Sequence, residues 1–256
     1  MYLQNKKANM KLKQILFILV VMLFAQATVA QVFSDNKVRN GSRAGRGSID
    51  DKVISWGYYI GFNSLDYKFH YRTNNHKDIT VKTTTGFNVG LLGNLKLGKH
   101  FDFRVEPGLS FTTRTLQYPE SYSTTDIDFA STSNSEREVQ STYVYFPFLL
   151  KWSTKRIGNF KPFIIGGVST TINLSSNEKS KDDNFAGKFR TKTNPGFLEL
   201  GFGIDFYLHY FKVSPTIRGV FAIDDELVRD TGANSPWTGN ISLMKTRGFF
   251  INIVVQ

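Results

Sequence analysis

Acid, base or nucleophile chemistry in this 256-residue chain would have to start from its four histidines. His70 and His76 share one polar stretch with Ser64, Asp66 and Asp78. A histidine oriented by a carboxylate and set beside a hydroxyl is the arrangement that activates serine for attack on an acyl group. The spacing gives only proximity within a hydrophilic segment, so the residues read as two exposed loop histidines. Asp224-Asp225-Glu226 offers hard oxygen ligands, but it lacks the spaced donors of a calcium loop and reads as a solvated acidic loop. Ser121 to Ser135, rich in Ser and Thr, reads as a mobile surface loop. The absence of cysteine excludes disulfides and thiolate zinc sites. No phosphate-binding loop, nucleophile elbow or metal-binding histidine pair is present, and Gly201-Phe202-Gly203 lies inside a strand pattern rather than opening a helix. No catalytic residue, cofactor, metal or small-molecule substrate is therefore expected.

The charged residues are more informative than the histidines, because they fall on one face of alternating strands. Lys96, Asp102, Arg104, Glu106, Arg114, Lys151, Glu199, Asp205, Lys212 and Arg218 all occupy the polar phase of such segments. In Phe87 to Leu97 the odd positions are apolar apart from Gly93, and Asn88, Asn94 and Lys96 lie opposite. Phe101 to Phe111, Leu198 to Leu208 and Val213 to Phe221 repeat the design. Period-two alternation is the mark of strands with two unlike faces. Ile54 to Phe69, Val139 to Ser153, Phe160 to Leu174 and Thr246 to Gln256 are less regular versions, which gives eight strands.

The connections decide how these strands are arranged. His70 to Thr84, Gln117 to Glu138, Ser175 to Asn194 and Ile223 to Lys245 are long. Between them come the short Gly98-Lys99-His100, Thr154 to Asn159 and His209-Tyr210. Regular alternation of long and short links predicts an all-β fold: an eight-stranded antiparallel transmembrane up-and-down β-barrel, with short periplasmic turns and long extracellular loops. Residues 53–256 form the barrel in this reading. Met1 to Lys13 is basic, Ile15 to Ala25 is apolar and Ala27 to Ala30 ends in small residues, so residues 1–30 read as a signal peptide. The glycine-rich, basic residues 31–52 read as a flexible periplasmic arm. Localisation in the outer membrane with both termini periplasmic follows.

A barrel of this size is filled by side chains, so the ten charges are expected to pair as a plug in the lumen. Trp56, Tyr58, Phe101, Trp152, Phe160, Phe206, Tyr210 and Phe211 are expected to form an aromatic girdle at the periplasmic boundary. Tyr71, Phe111, Tyr143, Tyr145, Phe197 and Phe221 would form the outer one. Outer-membrane lipid is an expected partner. The net charge of +11 gives only a faint pointer to anionic surfaces, and no nucleic-acid partner is expected.

Several strings carry a family likeness. Ile54-Ser55-Trp56-Gly57-Tyr58-Tyr59-Ile60-Gly61-Phe62-Asn63, Val105-Glu106-Pro107-Gly108-Leu109-Ser110-Phe111 and Tyr145-Phe146-Pro147-Phe148-Leu149-Leu150-Lys151 resemble the PorT family of outer-membrane barrels from Bacteroidetes. Lys161 to Val168 and Glu199 to Leu208 extend the likeness, and the Tyr207 to Lys212 turn with Leu227-Val228 is its more particular part. The resemblance implies a role in type IX secretion, with other secretion-system proteins as partners. Because an eight-stranded plug is too narrow for a folded protein, the role would be that of an accessory or assembly factor. A general structural or adhesive barrel is the alternative, and a lipid A-modifying enzyme built on His70 and His76 a third.

Overall fold

A computed structural model describes residues 52–73, 79–123, 127, 129, 131–232 and 235–256. The expected signal peptide and all of the expected arm except Lys52 lie outside the described residues. The strands are β1 (Ile54–Tyr71), β2 (Thr80–Thr83), β3 (Gly86–Lys96), β4 (Phe101–Val105), β5 (Gly108–Gln117), β6 (Glu136–Ser153), β7 (Phe160–Asn173), β8 (Gly196–Tyr207), β9 (Lys212–Ala222) and β10 (Ile241–Val255). All pair antiparallel in one sheet, and β1 pairs with both β3 and β10, so the sheet closes into a barrel.

Two of the breaks lie within a single stave. β4 and β5 hold one register against β6, from Val105↔Phe148 to Gly108↔Tyr145, and part only at Glu106-Pro107. Leu91 N donates to the Pro107 carbonyl, but Pro107 has no N–H to return. β2 and β3 follow one another along β5, with one additional residue between Thr83↔Arg114 and Phe87↔Phe111. That is a β-bulge at Thr84-Thr85. The ten elements therefore make eight staves. The short links, at residues 97–100, 154–159 and 208–211, share one end of the barrel, and the long ones share the other.

The side chains are distributed inside out relative to a soluble barrel. Along β6 buried and more exposed positions alternate almost without interruption, and the buried set includes Arg137, Ser141, Lys151 and Ser153. The exposed set around the barrel is apolar: Ile60, Leu91, Leu150, Ile164, Leu200, Phe202 and Ile251 all project outward. A closed barrel satisfies every ladder hydrogen bond internally, which an apolar surround requires. On β1 the apolar phase runs from Ile54 to Phe62 and gives way at Ser64 and Asp66. Asp66 and Arg247 pair at 3.0 Å on this face and mark the border of the belt. The belt thus spans about the 9–11 residues that a tilted strand needs to cross hydrocarbon. Among the described residues no helix is long and apolar enough to cross a membrane.

At the short-turn border of the belt, Trp56, Tyr58, Phe101, Trp152, Tyr210 and Phe211 are exposed and Phe160 and Phe206 half-buried. Phe101 lies opposite Trp152, and Phe160 opposite Phe206. The expected outer girdle needs correction. Phe111 and Phe221 face outward, but Tyr143, Tyr145 and Phe197 are buried and pack on one another inside the barrel. Their strands carry large apolar residues on both faces, so hydrophobicity alone does not fix which face is outside.

Candidate functional site

The lumen contains three layers of polar side chains. In the middle layer β4 supplies Arg104, the Glu106-Pro107 break supplies Glu106, β9 supplies Arg218 and β8 supplies Glu199. Arg104 Nη1 lies 3.4 Å from Glu106 Oε1, and Arg218 Nη1 lies 2.8 Å from Glu106 Oε2 and 3.5 Å from Glu199 Oε2. Tyr145 OH donates to Glu199 Oε1 at 2.8 Å, and Ser169 Oγ donates to Tyr145 OH at 3.0 Å. This chain of contacts bridges staves on opposite walls, and its two cations and two anions balance. Buried charges are tolerated where each has such a partner.

Glu106 owes its place to two prolines. Its N–H reaches the Pro147 carbonyl, but Pro147 cannot donate in return. Tyr59 OH supplies the missing donor, reaching the Glu106 carbonyl at 3.3 Å. The ring gets there across Gly90 and Gly108, which lie opposite each other. A Cβ on Gly108 would lie 2.2 Å from Tyr59 OH, and one on Gly90 2.6 Å from the ring.

Toward the short turns, Lys151 Nζ donates to Asp205 Oδ2, Lys212 Nζ lies 3.9 Å from the same oxygen, and Ser214 Oγ donates to Asp205 Oδ1 at 2.6 Å. Lys151 Nζ also sits 4.0 Å from the centre of the Phe163 ring. Lys96 and Asp102, at the short-turn mouth and opposite each other in the β3–β4 ladder, are half-buried rather than enclosed.

The third layer lies toward the long loops. Arg114 stacks at 3.9 Å over Tyr67 and donates to Ser141, Tyr143 and Thr246 hydroxyls. Its charge is faced across Thr246 by Glu226, whose Oε1 accepts from Thr246 N at 2.7 Å. Glu226 is buried, so the reading of residues 224–226 as a solvated acidic loop fits exposed Asp224 but is overturned for Glu226. The reason is strand length. The β9–β10 ladder ends at Phe221↔Arg247, which leaves the amides of Met244 and Thr246 without a strand partner on that side. Asp225 Oδ1 takes the first at 3.0 Å and Glu226 the second. Burial raises the Glu226 carboxyl above the usual range, against the opposing pull of Arg114.

The long loops form a cap with an apolar core of its own. Tyr118, Tyr122, Phe129, Phe189, Leu227 and Trp237 from the loops pack on Tyr67, Val139 and Met244 from the staves. Trp237 meets Phe185 edge to face at 4.9 Å and Phe129 at 5.7 Å, carries Arg137 over its ring at 4.8 Å, and donates from Nε1 to the Asn134 carbonyl. Buried Asp230 accepts from both Asn184 Nδ2 and Ser235 Oγ. Burial pushes the Tyr118 phenol well up. Tyr122 and Phe129 fall within the segment read as a mobile Ser/Thr loop, which this packing contradicts. Of the candidate chemical residues, His70 is exposed where β1 ends, while His76 and Asp78 lie outside the described residues.

Comparison with known proteins places this geometry. Residues 29–228 match the family model described as outer membrane protein beta-barrel domain. Similar solved structures include OprG from Pseudomonas aeruginosa, at 13% identity and TM-score 0.43, covering 79% of this chain and 92% of that one. Ail of Yersinia pestis matches at 9% identity and TM-score 0.35, covering 78% and 96%. No curated protein is significantly similar in sequence.

Proposed function

Because the chain belongs to the outer membrane protein beta-barrel domain family, we propose that it is a non-enzymatic outer-membrane component of type IX protein secretion, acting as an accessory or assembly factor. The observation that carries the accessory role is the filled lumen, in which Arg104, Glu106, Arg218 and Glu199 join opposite walls and leave no passage for a polypeptide. The assignment to type IX secretion is supported by the PorT-like strings at Ile54 to Asn63, Val105 to Phe111 and Tyr145 to Lys151. In this reading the short turns and both chain ends face the periplasm, where the N-terminal arm and the turns meet other secretion proteins.

The test is quantitative proteomics of periplasm and culture medium in a deletion strain, its parent and a complemented strain. The proposal expects large secretion precursors to accumulate in the periplasm of the deletion strain and to be released again on complementation. Unchanged export would overturn it. The packed cap favours a second reading, a structural or adhesive barrel, which instead expects intact export with altered envelope integrity or adhesion. The non-enzymatic element is tested separately. Replacing His70 and His76 with Ala should leave the mass spectrum of lipid A unchanged, and a shifted spectrum would replace this reading with an enzymatic one.

A further inference from the structure

The mouth of the barrel at its short turns holds more positive charge than its own carboxylates balance. Lys96 and Lys151 stand on either side of Asp102 in the ladders, Lys161 opposite Asp205, and Lys212 opposite buried Tyr207. Antiparallel partners share a face, so all four lysines point toward the lumen. Arg156, from the turn at residues 154–159, folds over the Tyr207 ring at 4.1 Å and adds a fifth cation. Against these five stand Asp102, Asp205 and the carboxyl end of Gln256, whose oxygen accepts from Lys212 N at 2.7 Å. Lys151 and Lys212 both converge on Asp205, which leaves half-buried Lys161 with no ion pair among the described residues. The middle layer above is balanced within itself and does not offset the surplus.

The chain itself supplies an anionic segment at this rim. Ser48-Ile49-Asp50-Asp51 precedes exposed Lys52, and the Val53 carbonyl accepts from Lys96 N at 2.8 Å where β1 begins. In the arm the charges are sorted, with Asp50 and Asp51 next to the barrel and Arg39, Arg43 and Arg46 further out. β7, which carries Lys161, lies four staves from β1 in the ring of eight and so faces it across the mouth. Eight strands about 4.8 Å apart and tilted about 40° close a ring about 16 Å across. Residues 50–52 in extended form reach about 10 Å, and a lysine side chain from the far wall covers the remainder.

We propose that the short-turn mouth is a docking site for the chain's own N-terminal arm, with the Asp50 and Asp51 carboxylates seated among Lys96, Arg156 and Lys161. Low-dielectric walls lined by one sign of charge focus the field on the mouth. The short tether holds the two acids there at an effective concentration of order millimolar, so ion pairs too weak to retain a free peptide retain the arm. Docked in this way, the arm leaves the barrel from the centre of the mouth, and its arginines are carried away from the like charge of the rim.

Zero-length carbodiimide coupling joins a carboxylate to an amine only where the two touch. It is applied to the full chain in detergent micelles, and the linked peptides are identified by mass spectrometry. Lys188 and Asp182, 3.2 Å apart and exposed on a long loop, serve as the positive control. Docking predicts links from Asp50 or Asp51 to Lys161 and Lys96, and far fewer to Lys99 and Lys155, which are exposed on the turns. Mixing isotope-labelled and unlabelled chains separates links within one chain from links between two. A nitroxide on Ile49→Cys, the sole cysteine of that variant, gives a second readout. Its spectrum should be immobilised, should become mobile on adding Lys161→Gln with Arg156→Gln, and should stay immobilised with Lys99→Gln and Lys155→Gln. Folding of each variant is checked by its heat-dependent electrophoretic mobility. Links spread evenly over the four lysines, links only between chains, no link where the control pair is joined, or equal nitroxide mobility in the two double variants would each overturn the docking.

Discussion

Asp205 gathers the buried charge nearest the short turns, since Lys151, Lys212 and Ser214 all converge on its carboxylate. Asp205→Ala would leave the Lys151 ammonium in the lumen without its counter-ion, and breaking a buried pair from one side costs about 3–5 kcal/mol. The loss should appear as a lower temperature for the heat-dependent mobility shift of the folded barrel, and an unchanged temperature would refute the pairing. Glu226 behaves differently because burial raises its carboxyl. Its folded value lies above the unfolded value of roughly 4.3, so its contribution favours the folded cap at pH below that value and is lost as pH rises through the folded value. Glu226→Gln keeps an acceptor for Thr246 N while removing the titration, and should flatten the pH dependence of cap opening measured by hydrogen exchange at Met244 and Thr246. Glu226→Ala strands that amide at a cost of about 1–3 kcal/mol. An equal pH slope in Glu226→Gln and the native chain would remove Glu226 as its source.

At the scale of elements, the stave formed by β4 and β5 is the place where the ladder is most interrupted and a side chain most clearly substitutes for it. Pro107 and Pro147 each withhold a donor, and Tyr59 restores one of the two across the Gly90 and Gly108 pair. Tyr59→Phe should therefore destabilise the barrel by about 1–3 kcal/mol, the cost of a buried carbonyl left unpaired. Gly108→Ala should cost at least as much, because its Cβ falls 2.2 Å from the tyrosine oxygen and displaces the ring. If combining the two substitutions cost the sum of each alone, the two would not share one interaction.

These elements also show what the sequence could and could not reveal. The outward phase of β3, β8 and β9 and the rhythm of the connections are legible because period-two alternation and link length are local properties. β6 is ambiguous because Tyr143, Tyr145 and Leu149 point inward while Phe146, Phe148 and Leu150 point outward. The role of Glu226 is hidden, since it depends on β10 outrunning β9, a fact about two strand ends distant in sequence. The apolar residues of the cap are scattered over separate loops with no common period, so composition reports them only as polar stretches with an occasional aromatic.

The whole molecule has two cores facing different solvents, a polar one inside the belt and an apolar one under the cap, and their stabilities need not rise and fall together. The barrel is held by a closed ladder that continues whether or not the loops are packed. The cap is held by loop-to-loop backbone hydrogen bonds and by its side chains, with Trp237 joining Phe129, Phe185, Arg137 and Asn134 from separate segments. Trp237→Ala removes all four contacts, and truncating a buried tryptophan costs about 3–5 kcal/mol. A loss of that size exceeds what a small satellite cluster holds in reserve, while the ladder beneath loses none of its hydrogen bonds. The variant should therefore be cut by protease within residues 174–195 and 223–240 and yet retain the heat-dependent mobility of a closed barrel. Loss of that mobility together with protease sensitivity would mean that cap and barrel unfold as one cooperative unit, and that the loops belong to the stability of the membrane fold itself.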